Sequence, residues 1–283
     1  MKYEKKWTMI ESIQKRNNSF LTNSDKVTLS ELAESIANYY FPNGPINPEF
    51  IADEYKITHS YSNYKDSFDG LIECLEKEFH IYINIDRLGH GFSERARFTF
   101  AHELGHYFID EHRNALLLGL SPSHSCFTGF VSKNYAERQA DYFASCLLLP
   151  KNKIENDCLK RKFSFQILSE LSKKYKVSLT ATAIRFTAIG NHPIMVVYSV
   201  DGKISWYCHS DDFPYWTLRH GKFKVPEDTV AGEYFNNKNE TNTTQEVFAI
   251  DWFSNVFESH TNRKFYEHCV FGTKSVLSLI WEH

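Results

Sequence analysis

Hydrophobic positions first become periodic near Thr28. In LSELAESIANYYF, residues Leu29, Leu32, Ile36 and Tyr39 or Tyr40 share one helical face. Residues 1–25 are polar and only weakly periodic, which predicts a peripheral helix. PNGPINPEF breaks the first helix. Asn47-Pro48-Glu49 then starts another through FIADEY, with Asn as N-cap and Pro at the first helical position. Leu71–Leu75 and His80–Ile85 are β-prone, and Ile81, Ile83 and Ile85 alternate as in a half-buried strand. After the glycine turn RLGHGFS, the pattern predicts a helix from near Ser93 to about Asp110. A loose Ser/Pro/Gly segment over about 113–133 separates it from a second helix, YAERQADYFASCLLL, which stops at Pro150.

Residues 163–190 carry two shorter helical patterns, LSELSKK and LTATAIRFTAI, around a turn at YKVS, in the manner of a helix-turn-helix. From His192 onward the chain turns β-prone. PIMVVYSVDGKISWYC reads as a hairpin about Asp201-Gly202, and the last such run is SVLSLIWEH. The fold class expected is α+β. Its parts are an N-terminal extension (1–27), a core (28–150), a basic helical extension (151–190) and a C-terminal β-rich α+β domain (191–283).

Composition narrows the classes. With 42% hydrophobic and 24% charged residues in 283, the chain is globular rather than disordered. A net charge of −3 excludes a uniformly basic nucleic-acid coat. No run approaches the ~18 apolar residues of a membrane span. MKYEKKWTMIESIQKR lacks the apolar core of a signal peptide, so the expectation is a cytoplasmic chain with no membrane partner. The cysteines at 74, 126, 146, 158, 208 and 269 form no CxxC pair and read as buried thiols, not as a disulfide framework or a cysteine-based zinc site.

Candidate chemistry begins at His102-Glu103-Leu104-Gly105-His106, an HExxH motif. On a helix, positions i and i+4 share a face, so His102 and His106 can reach one metal ion. Glu103 lies about 100° round the axis from His102, beside the open position of such a metal, where it can take a proton from water. The flanking RFTFA and YFI are apolar, and buried histidines need a partner. Catalytic zinc usually takes three protein ligands. ERQAD offers Glu137 as the third and Asp141, four residues on, as acceptor for the other ring N–H of a ligating histidine. Alone, ERQAD fits an exposed acidic face countered by Arg138; beside HELGH the metal reading is favoured.

RFTFAHELGHYFI followed by ERQADYFASCLLLP resembles the peptidase domain of the ImmA/IrrE family, in which HExxH precedes an E-x-x-A-N-x-F-A-x-x-L-L-M-P segment. Asp141 stands at the Asn position and Leu149 at the Met position; Asp is the residue gluzincins generally use there. The resemblance spans about residues 28–190. It implies a gluzincin-like minimal metallopeptidase and a zinc-dependent endopeptidase activity that cleaves a partner regulator such as an XRE-type helix-turn-helix repressor, in stress response or in mobile-element and phage control. It further implies that Zn²⁺ is held by His102, His106 and Glu137, with Glu103 moving the proton from water to the leaving amine. The hairpin before the active helix would hold substrate as an added strand. His112, His124 and several tyrosines are candidates for stabilising the oxyanion, and the sequence does not choose between them. Cys126 or His124 could also serve as a fourth ligand, although an ordinary loop is the preferred reading of that segment.

Residues 151–190 hold nine Lys/Arg against three acids. Lys173, Lys174, Lys176 and Arg185 are the candidate contacts for DNA or a protein partner. DNA is not favoured, because the second helix carries mostly apolar residues such as Leu179, Ala183, Ile184 and Ile189. The aromatic-rich segment 191–283 reads as a structural cap or as a sensor or docking module. Cys208-His209 and His268-Cys269 invite a second metal site, though paired strands bring such residues together without one. The alternatives to a protease acting on a repressor are a non-cleaving DNA- or protein-binding regulator and the protease of a toxin–antitoxin or defence system.

Overall fold

A computed structural model describes residues 20–282, apart from 90, 92, 121–123, 127–133 and 222, with backbone alone for 124–126. The reading of residues 1–19 lies outside the described residues. The chain divides into two compact units. The first runs up to Lys151 and adds Lys174–Ser178; the second takes Asn152–Lys173 and Leu179–His283.

Helix α1, Asn23–Tyr40, opens the first unit and starts earlier than hydrophobic periodicity implies. Its start is polar: Thr22 Oγ1 accepts from Asp25 N–H at 3.2 Å while Thr22 N–H donates to Asp25 Oδ2 at 2.8 Å, a reciprocal cap. The face it buries comprises Leu29, Ala33, Ile36 and Ala37. Asn47 caps α2, Pro48–Glu54, as the sequence predicts, accepting from Phe50 N–H at 3.2 Å.

Strands β1 (Thr58–Ser62), β2 (Gly70–Leu75), β3 (Glu78–Asn84) and β4 (His124–Cys126) form a mixed sheet in the order β1-β3-β2-β4. Glu76 and Lys77, at φ +51° and +73°, make the tight turn between β2 and β3. A two-residue turn with both φ positive normally advertises itself by Asn-Gly, so this one left no sequence signal. β1 pairs in parallel with β3, while β2 is antiparallel to both of its neighbours. The hairpin expected to present a free edge is therefore flanked on both sides. Gly70, Leu71 and Ile72 pair with Cys126, Ser125 and His124.

After the one-turn helix α3 (Ile85–Leu88) come α4 (Glu94–Phe108), α5 (Asp110–Leu117) and α6 (Tyr135–Leu148). The loose stretch after Asp110 thus begins with a helix. Packed α4 and α6 form the centre of this unit, with Phe100, Leu104, Phe143 and Leu147 fully buried.

The second unit includes α7 (Lys151–Cys158, from Asn152 on), most of α8 (Phe165–Tyr175) and α9 (Leu179–Ile189). Its sheet is antiparallel throughout, in the order β6-β5-β9-β8-β7: β5 Ile194–Val200, β6 Lys203–His209, β7 Gln245–Phe248, β8 Lys264–Phe271 and β9 Ser275–Glu282. The Asp201-Gly202 hairpin forms as predicted. Met195, Val197, Phe213, Trp252, Phe253, Phe265 and Ile280 lie in its core. Inside that core Glu267 is fully buried and accepts from Val230 and Ala231 N–H at 2.9 and 3.2 Å. It thereby satisfies the first turn of α10, Val230–Asn237. Trp252 Nε1–H and Ser278 Oγ–H, each at 3.0 Å, and Cys269 Sγ–H at 3.2 Å also donate to it.

Candidate metal centre

Helix α4 starts at Ser93, whose Oγ accepts from Ala96 N–H at 3.0 Å. The helix is buried along most of its length, as its apolar flanks imply. Helix α6 is capped by Asn134, which accepts from Ala136 N–H at 3.1 Å and sets Glu137 in the first turn. Close approach of the two helices depends on Gly105. A Cβ there would stand 3.1 Å from Ala140 Cα and 3.2 Å from Phe143 Cδ1, so the glycine at the fourth position of the HExxH motif serves the helix contact.

That contact carries Glu137 to the histidines. Its Oε2 lies 3.2 Å from His102 Nε2 and its Oε1 3.5 Å from His106 Nε2, while the two Nε2 atoms are 3.2 Å apart. Donors held about 2.0–2.1 Å from a tetrahedral zinc stand roughly 3.3 Å from one another. The three side chains therefore fit a divalent cation in both chemistry and separation. Among the described residues, they are the group of three or more His, Cys, Asp or Glu whose donor atoms converge. Asp141 Oδ1 is 2.8 Å from His102 Nδ1, where a carboxylate accepts the Nδ1–H and leaves the Nε2 lone pair facing the cluster. His102 and His106 are buried, and Glu137 keeps 17% of its side-chain exposure, which opens the site on the α6 side.

Glu103 is fully buried on the same helix and is turned toward β2, where Gly70 faces it. His112, a candidate for oxyanion stabilisation, is instead buried beside His106, with ring centroids 5.0 Å apart, and its Nε2 pairs with Gln139 Oε1 at 3.0 Å. This His112–Gln139 pair escaped the sequence reading because its members lie on different helices. Of the segment offering His124 and Cys126, the backbone forms β4; their side chains lie outside the described residues.

The candidate contact residues divide. Lys173, Lys174 and Lys176 are exposed, but Arg185 is 3% exposed and offers nothing to a partner. The interior-facing side of α9 takes it in, together with Ala183 and Phe186. Cys208-His209 and His268-Cys269 do not meet. They sit on β6 and β8, separated by β5 and β9, and Cys269 lies against Glu267 and Ser278. The described cysteines are free thiols, buried as expected at 146, 158 and 269 but only half-buried at Cys74 and Cys208, which lie on strands β2 and β6. No helix of the described residues is long and apolar enough to cross a membrane.

With this geometry in place, sequence comparison bears on it directly. Residues 90–187 match the family model of the IrrE N-terminal-like domain, a peptidase family. Both helices of the centre lie inside the matched segment, so the ImmA/IrrE resemblance read from HELGH and ERQAD holds there. Among solved structures, one described as a Mycobacterium tuberculosis transcriptional regulator is similar in fold, with a TM-score of 0.56 and 13% identity. The similarity covers 97% of this chain and 81% of that one. A search of curated proteins finds no match.

Proposed function

We propose that this chain is a zinc-dependent endopeptidase that cuts a protein regulator. The observation that carries the reading is the convergence of His102, His106 and Glu137 at 3.2–3.5 Å, with Asp141 orienting His102. A divalent ion held by these three residues supplies Lewis acidity, which polarises a scissile carbonyl and makes water easier to deprotonate. The remaining work falls to the chain itself. Glu103 takes the proton from the attacking water and returns it to the leaving amine. Asp141 holds the His102 ring in place through both steps.

The regulator we favour as substrate is a helix-turn-helix repressor, as the resemblance to the ImmA/IrrE family implies. The exposed Lys173, Lys174 and Lys176 give an acidic partner a place to dock. Glu103→Gln tests the chemistry. It should keep the metal while lowering cleavage of the partner by roughly 10²–10⁴-fold, the range for loss of a positioned proton carrier. A variant that cuts as fast as the parent, or a phenotype that survives the change, would leave a non-cleaving regulator as the better account.

A further inference from the structure

The active helix and the sheet touch most closely at Gly70, the first residue of β2. A Cβ built there would lie 2.4 Å from Thr99 Cγ2, 2.7 Å from Glu103 Oε1 and 3.3 Å from Glu103 Cδ. Thr99 and Glu103 are four residues apart on α4 and share the face turned to β2. Gly70 does not adopt the left-handed region, so its backbone conformation is open to any residue. The constraint is purely spatial. The fully buried Glu103 carboxylate is packed against bare backbone where every other residue would put a side chain.

The neighbouring residue makes that contact rigid. Asp69 is completely buried and binds two arginines, accepting from Arg87 Nε–H at 2.6 Å and from Arg95 NH2 at 2.9 Å. Arg95 belongs to the first turn of α4, so Asp69 ties the start of the active helix to the start of β2. The Asp69 carbonyl meanwhile accepts from Asn84 N–H at 3.0 Å. One dipeptide thus fastens the helix and shapes the space beside its second motif residue.

We infer that Gly70 is a positioning residue for Glu103, held in register by Asp69: the missing side chain at 70 fixes where the carboxylate stands relative to the metal centre. The inference deepens the peptidase reading and rests on it for its consequence in rate. Misplacing a reacting group by about 1 Å costs roughly 100-fold, and a methyl group 2.7 Å from Oε1 forces the end of Glu103 to give way by about half an ångström or more.

The test uses the full chain with Gly70→Ala, Thr99→Ser and the double variant. Zinc content, thermal unfolding, hydrolysis of a fluorescein-labelled casein probe and crystal structures are the readouts. Thr99→Ser deletes Cγ2 alone, so the double variant relieves the 2.4 Å contact and keeps the one with Glu103. In both Gly70 variants the expected result is zinc at the parental ratio, a Glu103 carboxylate moved by about 0.5 Å or more and kcat lowered about 10-fold or more with KM little changed. Parental kcat in the double variant would assign the clash to Thr99 and overturn the inference. So would an unmoved Glu103, or loss of zinc or of folding in both variants, which would make Gly70 a packing residue. Full hydrolysis by Glu103→Gln would sink the peptidase reading instead, and if the parent leaves the casein uncut, the crystallographic position of Glu103 alone decides the positioning claim.

Discussion

At the scale of single residues, the centre is three donor side chains converging at the spacing a divalent cation takes. Two histidine nitrogens 3.2 Å apart, one with its other nitrogen committed to Asp141, both turn toward a carboxylate. Glu137→Ala removes a donor from this set, and metal content measured after dialysis should fall well below one ion per chain. Glu111→Ala is the control, since Glu111 is an exposed carboxylate on α5 that the geometry leaves out of the cluster. Unchanged metal in the Glu137 variant would reject it as a ligand. Asp141→Ala removes the acceptor that orients His102, so metal affinity should drop about 10–100-fold. These residues were legible in the sequence, because HExxH and E-x-x-x-D each sit within one helix, where spacing converts directly into a shared face. Gly70, Asp69 and the His112–Gln139 pair were not, since each acts on a residue remote in the chain.

At the scale of elements, the site exists because α4 and α6 come close enough for Glu137 to reach across. Gly105 permits this approach, with the Ala140 backbone 3.1 Å from where its side chain would begin. Gly105→Val should destabilise the first unit by roughly 1–3 kcal/mol, read as an earlier urea midpoint, and should weaken metal binding as well because the helices part. A variant that keeps the parental midpoint and metal affinity would mean that another contact sets the spacing. Several helices and one cap were readable in advance: Asn47 caps α2, and α4 and α6 begin close to the expected Ser93 and Tyr135. The sheet was less so. The Glu76-Lys77 turn lacks the residues that favour positive φ, and β1 gains its place by pairing in parallel with a strand more than fifteen residues later. Neither the flanked hairpin nor the short β4 follows from local pattern, because strand neighbours are chosen by the whole sheet.

At the scale of the whole molecule, the second unit carries its own stability device and its own pH dependence. His268 stacks on Phe165 with centroids 3.6 Å apart and shares a hydrogen bond with Thr244 Oγ1 at 3.0 Å. Burial holds its pKa below the ordinary histidine value, so the folded form favours the neutral ring. Above the unfolded value of about 6.5 neither state binds the proton; below it the unfolded chain protonates first and stability is lost as pH falls toward the folded pKa. Urea midpoints should therefore drop between pH 7.5 and 5.5, and the drop should be smaller for His268→Phe. An identical slope in the variant would remove His268 from the account.

What the sequence determined by itself is what a single helix or turn can encode: the HExxH face, the Glu137–Asp141 face, the Asn47 cap, the Asp201-Gly202 hairpin and the α+β class. Periodicity and capping act over a few residues, so their meaning survives without knowing the partner. The tertiary structure alone decided which groups meet across elements. It brought Glu137 to the two histidines, set Glu103 against Gly70, buried Arg185, and kept Cys208-His209 apart from His268-Cys269. Those outcomes depend on interhelical distance and strand order, which arise from packing the entire core at once.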